Sequence, residues 1–304
     1  MKKIIYSAPA KVILAGEHAV VDGQPGLITA IDKHLIFTLF TSPEKKIDEN
    51  ILWVEKIVQD YLVSEKIEFN YSNYNCEINS DIPLGRGLGS SAAFSVAATA
   101  AFLDFFTGKQ FSKNIINNLA YQVEKKFHLN PSGIDPAAAC FGGLIYYRKE
   151  FEYLKTIFSL PFTLPTAIKN TLYLVDTGKP AETTAQMVEK VRQEKISFDQ
   201  FEKVVKTMVR AIEKNDLLSF QNSIKENEIL LEKINVVSSK TKKIINDLKK
   251  FVAVKVTGAG GCKSNSGYLL VSTNSNKKLK DYCQKKKLFL IKLIPSDQGV
   301  EKIL

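Results

Sequence analysis

The run Pro83-Leu84-Gly85-Arg86-Gly87-Leu88-Gly89-Ser90-Ser91-Ala92-Ala93 places three glycines and two serines directly ahead of a stretch of small and apolar residues, Ala92–Phe106. A glycine-rich loop opening a helix leaves unpaired backbone N–H groups aimed at one point, and the positive end of the helix dipole reinforces them. Glycine suits such a loop because the backbone curls with positive φ and approaches its ligand with no Cβ in the way. The chemistry implied is anion binding, above all of phosphate. The loop alone also fits a plain tight turn, so the rest of the chain decides.

The chain has 304 residues, enough for two domains, and a globular composition: 45% hydrophobic and 24% charged. No apolar run is read as a bilayer span. The first residues, Met1–Ala10, carry too short an apolar core for a secretory signal and are read as a first β-strand, with the protein expected in the cytoplasm and away from membranes. Four cysteines, Cys76, Cys140, Cys262 and Cys283, contain no C-x-x-C pair, and with three scattered histidines they suggest reduced thiols and no structural zinc. The net charge is +10, but 38 of 42 basic residues are Lys, a poor composition for bidentate reading of nucleic acid. The lysine run 277–287 is read as a solvated helix face, with attraction of polyanionic substrates as the alternative.

The elements that must carry the loop follow from periodicity. Val21–Gln24 reads as a hairpin turn, 36–41 as an edge-type strand, 51–63 as a helix and 76–79 as a strand feeding the glycine loop. The helix 92–106 is apolar all round and is expected to be buried on every side. A helix over 112–127, with Ser112 as N-cap, ends at Asn130-Pro131-Ser132-Gly133, and a strand covers 142–147. Prolines 161 and 165 mark a domain change, which divides the chain into 1–165 and 166–304. Beyond it come a strand (171–176), helices near 182–195, 198–215, 217–233 and 239–251, then strand (252–256), glycine turn, strand (267–271), helix (277–286) and strand (288–293). Without its inserted helices the second half is β-α-β-β-α-β, a ferredoxin-like pattern.

Four stretches carry the remaining chemistry: Lys11–Val21 with Gly16-Glu17-His18-Ala19-Val20-Val21; the glycine loop; Glu124 followed by Asn130-Pro131-Ser132-Gly133-Ile134-Asp135; and Val256-Thr257-Gly258-Ala259-Gly260-Gly261. Together, in order and spacing, they resemble the GHMP kinases across the whole chain, and the G-E-H-A-V-V and N-P-S-G-x-D strings are closest to the mevalonate kinases within that superfamily. The resemblance implies an α+β, two-domain GHMP kinase fold: an N-terminal half like ribosomal S5 domain 2 and a ferredoxin-like C-terminal half. It implies ATP and Mg²⁺ as cofactors and a small alcohol, mevalonate, as substrate; nucleic acid is not expected as a partner, and a homodimer is left open.

The resemblance also assigns roles. Gly85, Arg86, Gly87, Leu88, Gly89, Ser90 and Ser91 form the triphosphate loop, with Lys11, Ser80, Gly258 and Gly260 as further nucleotide contacts. Ser91 and Glu124 hold Mg²⁺. Asp135 takes the hydroxyl proton and Lys11 lies beside it, keeping the carboxylate ionised; taken alone, Asp135 before Pro136 would also suit a helix N-cap. Glu17, His18 and Thr184 are on the substrate side, His18 as a donor to a substrate carboxylate. Thr183 serves the motif nearly as well as Thr184, and both fit helix caps. Ser80 fits a turn serine equally. The fourth stretch departs from the family's longer glycine run, continuing as Cys262-Lys263-Ser264-Asn265-Ser266; Lys263 either approaches the phosphates or faces solvent, the second being favoured.

Overall fold

In the computed structural model, which describes residues 2–43, 48–127, 131–152, 154–194 and 197–303, the chain builds two antiparallel sheets. The first begins with β1 (Lys3–Ala15) and β2 (Pro25–Thr41), joined through a short 3₁₀ turn at Ala19–Asp22 and Gly23. β2 is long and central. Its first half pairs with β4 (Leu144–Lys149), its second half with β3 (Tyr74–Ser80), and β1 runs along its other side. The expected edge strand 36–41 is therefore interior: Phe37 and Leu39 are fully buried, and the segment has partners on both sides. β5 (Lys155–Ser159), read from sequence as part of a proline-broken connection, pairs with β4 at one edge. At the other edge β10 (Glu301–Lys302) pairs with β1, so the C-terminus returns to the first sheet.

Helix α2 (Ser90–Thr107) packs on that sheet, and α1 (Glu49–Ser64) and α3 (Lys113–Phe127) pack against α2 and each other. α2 is the pillar. Fourteen of its residues, from Ala92 to Phe106, are buried, and alanines on β1 let it approach closely while Phe102, Phe105 and Phe106 fill the space toward Tyr74. α2 is long and apolar enough to cross a membrane by length and composition alone, but most of that stretch is buried inside the protein. Ser112 caps α3 as expected, accepting from the N–H of Ile115. α4 (Ile134–Phe141) follows the Pro131–Gly133 turn and begins one residue ahead of Asp135, with Gly133 as its cap.

The second sheet has the order β7-β8-β6-β9, with β6 (Leu172–Asp176), β7 (Ala253–Val256), β8 (Tyr268–Ser272) and β9 (Phe289–Lys292), all neighbours antiparallel. This is the ferredoxin-like arrangement that the second-half pattern predicts. A short α5 (Thr166–Lys169) precedes it. α6 (Thr184–Gln193), α7 (Asp199–Glu213), α8 (Leu217–Lys233) and α9 (Ser239–Leu248) lie between β6 and β7. α10 (Asn276–Lys286) turns Lys277, Lys278, Lys280, Lys285 and Lys286 to solvent, the face expected for this run. α7 and α8 also touch β1, and one large apolar core runs through both sheets.

Candidate functional site

A cavity of about 890 Å³ opens between the two sheets, lined by parts of all four sequence stretches. Its floor is β1. Lys11 lies on that strand, 2% exposed, with its backbone N–H donating to Leu88 O at 3.0 Å. The lysine stem runs beneath Gly89, the N-cap of α2; a Cβ there would sit 2.7 Å from Lys11 Cγ, and its φ of +78° favours glycine in its own right. Lys11 Nζ reaches Asp135 Oδ1 at 3.1 Å. Asp135 is the second residue of α4, behind its cap Gly133, so the N-cap alternative fails and the carboxylate benefits from the positive end of the helix.

Ser90 and Ser91 open α2, whose first-turn N–H groups face the same cavity. Ser91 Oγ donates to Glu124 Oε2 at 3.4 Å, and Ser95 Oγ to Glu124 Oε1 at 2.9 Å. Burial raises the Glu124 carboxyl to about 7; the Ser95 hydrogen bond opposes this and the nearby Asp135 charge adds to it. Two carboxylates, one lysine and a helix N-terminus thus converge on one spot, from a strand and three helices far apart in sequence.

The other predicted residues divide. Gly85, Gly87, Gly258 and Gly260 line the cavity, and the fourth stretch leans directly on the glycine loop: a Cβ on Gly258 would lie 3.1 Å from Gly87 Cα. Arg86 lines the cavity, and its guanidinium forms an ion pair with the buried carboxylate of Asp176 at the end of β6, lashing the loop to the second sheet. Leu88 is buried under the loop. Ser80 does not reach the cavity lining; its hydroxyl accepts from the N–H of Ile82, which makes it a turn serine. Thr183 caps α6 in a reciprocal capping box with Gln186, so its hydroxyl is spent there. Thr184, the first residue of α6, lines the cavity with no capping duty. Lys263 is exposed and off the cavity. Asn130 and His128 lie outside the described residues.

Glu17 and His18 are buried. Glu17 gives one oxygen to Lys255 Nζ in an ion pair and accepts from Asn227 Nδ2 at 2.8 Å with the other. His18 Nε2 meets Ala259 O at 3.0 Å, and since a carbonyl only accepts, that nitrogen carries the proton. Burial lowers the imidazole pKa and keeps it neutral, leaving Nδ1 as an acceptor. His18 is thus unsuited to donate to a carboxylate.

Sequence reasoning missed three contributors. Lys179 lines the cavity with its side chain against Gly85, though one lysine among 38 carries no signal. Lys255 was legible in principle, because a lysine inside the apolar strand 252–256 requires a buried acid partner. The apolar end of the cavity, walled by Leu35, Ile78, Phe94 and Phe127, comes from four separate elements and has no local signature.

Residues 54–143 match the GHMP kinases N terminal domain. The mevalonate kinase of Pyrococcus furiosus is 31% identical, over 85% of this chain and 87% of that protein. Among solved structures, a Lin0012 protein from Listeria innocua superposes with a TM-score of 0.83 at 21% identity, covering 99% of each chain. The Methanococcus jannaschii mevalonate kinase superposes with a TM-score of 0.76 at 24% identity, covering 97% of this chain and 98% of that one. With the lysine–aspartate pair and the glycine loop meeting where these motifs converge, the chain belongs to the mevalonate kinase family of GHMP kinases.

Proposed function

We propose that the protein transfers the γ-phosphoryl group of ATP to the primary hydroxyl of mevalonate, giving 5-phosphomevalonate and ADP. The observation carrying this reading is the Lys11–Asp135 pair, held at 3.1 Å beside the N-terminus of α2 in a cavity of about 890 Å³, a volume ordinary for small-molecule sites. The apolar end takes the purine. Backbone N–H groups of Gly85–Ser91 take the phosphates, with the γ-group toward Asp135.

Phosphoryl transfer asks the protein for positioning and charge balance more than for covalent chemistry. Asp135 orients the substrate hydroxyl and accepts its proton as the O–P bond forms. Lys11 balances the charge of the carboxylate and holds it in place; the contact is ionic, since Oδ1 of Asp135 has no aligned hydrogen-bond donor among the described residues. Thr184 offers a hydroxyl, and His18 Nδ1 accepts from a substrate hydroxyl.

Ser91 and Glu124 supply hard oxygen donors fit for Mg²⁺. No group of three or more His, Cys, Asp or Glu side chains able to hold a metal exists among the described residues, which suits an ion completed by phosphate oxygens and water. When bound, Mg²⁺ would neutralise phosphate charge, and the Glu124 carboxyl would be held ionised.

ADP release measured over mevalonate, phosphomevalonate, homoserine and galactose tests the reading. Turnover of mevalonate with a single phosphate placed on its primary hydroxyl is expected. Preferred turnover of another alcohol, or of none, rejects it.

A further inference from the structure

A second cavity, of about 550 Å³, lies on the outer side of α3 against β5, away from the glycine loop. Four side-chain amides line it, Asn114, Asn117, Asn118 and Gln122, together with Lys125 and Lys155. Asn117 is 4% exposed, and its Oδ1 has no hydrogen-bond partner, an unusual state for a buried amide. Three ammonium groups gather round the Tyr121 ring: Lys125 at 5.1 Å and Lys149 at 5.8 Å from its centre, with Lys155 directly over it. One carboxylate serves them, since Glu152 pairs with Lys125 and Lys149, each at 2.9 Å. Lys155 is half-buried and makes no ion pair with a described residue; burial first, then the neighbouring lysines, lower its pKa to about 7.

We propose that this cavity is a binding site for the phosphate group of a small phosphorylated metabolite. An excess of cations over acids around a partly dry cavity calls for an anion. Lysines give compact point charges from several directions, matching a tetrahedral phosphate, whereas a planar carboxylate is better met by an arginine fork, and no arginine is among the described residues lining this cavity. The site also backs onto the turn before Asp135: Lys149 Nζ donates to Pro131 O at 3.4 Å, four residues before that carboxylate, while the Tyr121 hydroxyl donates to Glu152 at 3.1 Å.

The test is calorimetric titration of the whole protein with inorganic phosphate, with the glycine loop first saturated with ADP. Wild type is expected to bind phosphate, Lys155→Gln to bind it about tenfold or more weakly, and Lys155→Arg to recover most of the affinity. All three should hold ADP equally. Absence of phosphate binding in wild type, or equal binding by Lys155→Gln, overturns the proposal; the second result would place the phosphate beside ADP. The ADP titration reports on the kinase reading separately, so the two fail distinguishably.

Discussion

In the proposed site, Asp135 and Lys11 pair an accessible group with a hidden one. The carboxylate is 31% exposed and can meet a substrate; the lysine side chain is 3% exposed and can meet little besides the carboxylate and whatever shares its pocket. A buried ammonium is costly without a partner, so removing either side chain has different effects. Asp135→Asn keeps the shape but neither accepts the proton nor balances Lys11. It is expected to lower kcat by roughly 10²–10⁴-fold while ADP binding changes little, which steady-state kinetics beside an ADP titration would show. Near-normal kcat in that variant would remove Asp135 from the proposed role. Lys11→Met should lower kcat and also weaken ATP binding, because it keeps a stem under Gly89 but takes the positive charge away from the glycine loop.

At the scale of elements, the site depends on how the glycine loop is pinned. α2 holds it from below, Gly258 leans on Gly87 from the side, and the Arg86–Asp176 pair ties it to β6. Arg86→Ala is expected to raise the KM for ATP several-fold with a small loss of kcat, since the loop keeps its N–H groups but loses an anchor. A melting temperature within a few degrees of wild type should accompany it; an unchanged KM would show that the loop holds its form without the pair.

Elements with strong local signals were legible: the all-apolar α2 and the β-α-β-β-α-β order of the second half. So were the Lys11–Asp135 and Ser91–Glu124 juxtapositions, because motif strings fix which residues meet. Hidden were features decided by tertiary pairing. Strand 36–41 looks like an edge until β3 is laid beside it, and β5 lies in a stretch whose prolines read as a break. Ser80 and Arg86 belong to the right segments, but side-chain direction decides their partners, Ile82 and Asp176, and sequence spacing does not contain direction.

At the scale of the molecule, the two sheets are joined under the cavity by a buried polar knot. Lys255 of β7 is fully buried, pairs with Glu17 and donates to Ile13 O at 3.1 Å; Asn227 of α8 supports the same carboxylate, and Thr257 Oγ1 exchanges hydrogen bonds with the Ile13 backbone. Nearby Glu228 accepts from Val256 N at 2.7 Å, and burial raises its carboxyl to about 8. From its ordinary 4.5 up to about 8, the folded chain keeps a proton that the unfolded chain releases, so this group makes stability fall as pH rises through that window. Glu228→Gln retains an oxygen for Val256 N and removes the titration. Denaturant unfolding should find the variant gaining on wild type from pH 5 to pH 8, and an unchanged difference across that range would mean the carboxyl ionises normally. Lys255→Met asks more of the knot, because it strands the Glu17 charge in the interior. A loss of about 3–5 kcal/mol is expected, with much of it restored when Glu17→Gln is added, since the pair then disappears together. Strict additivity of the two substitutions would show that Lys255 and Glu17 contribute separately and that their pairing does not hold the halves together.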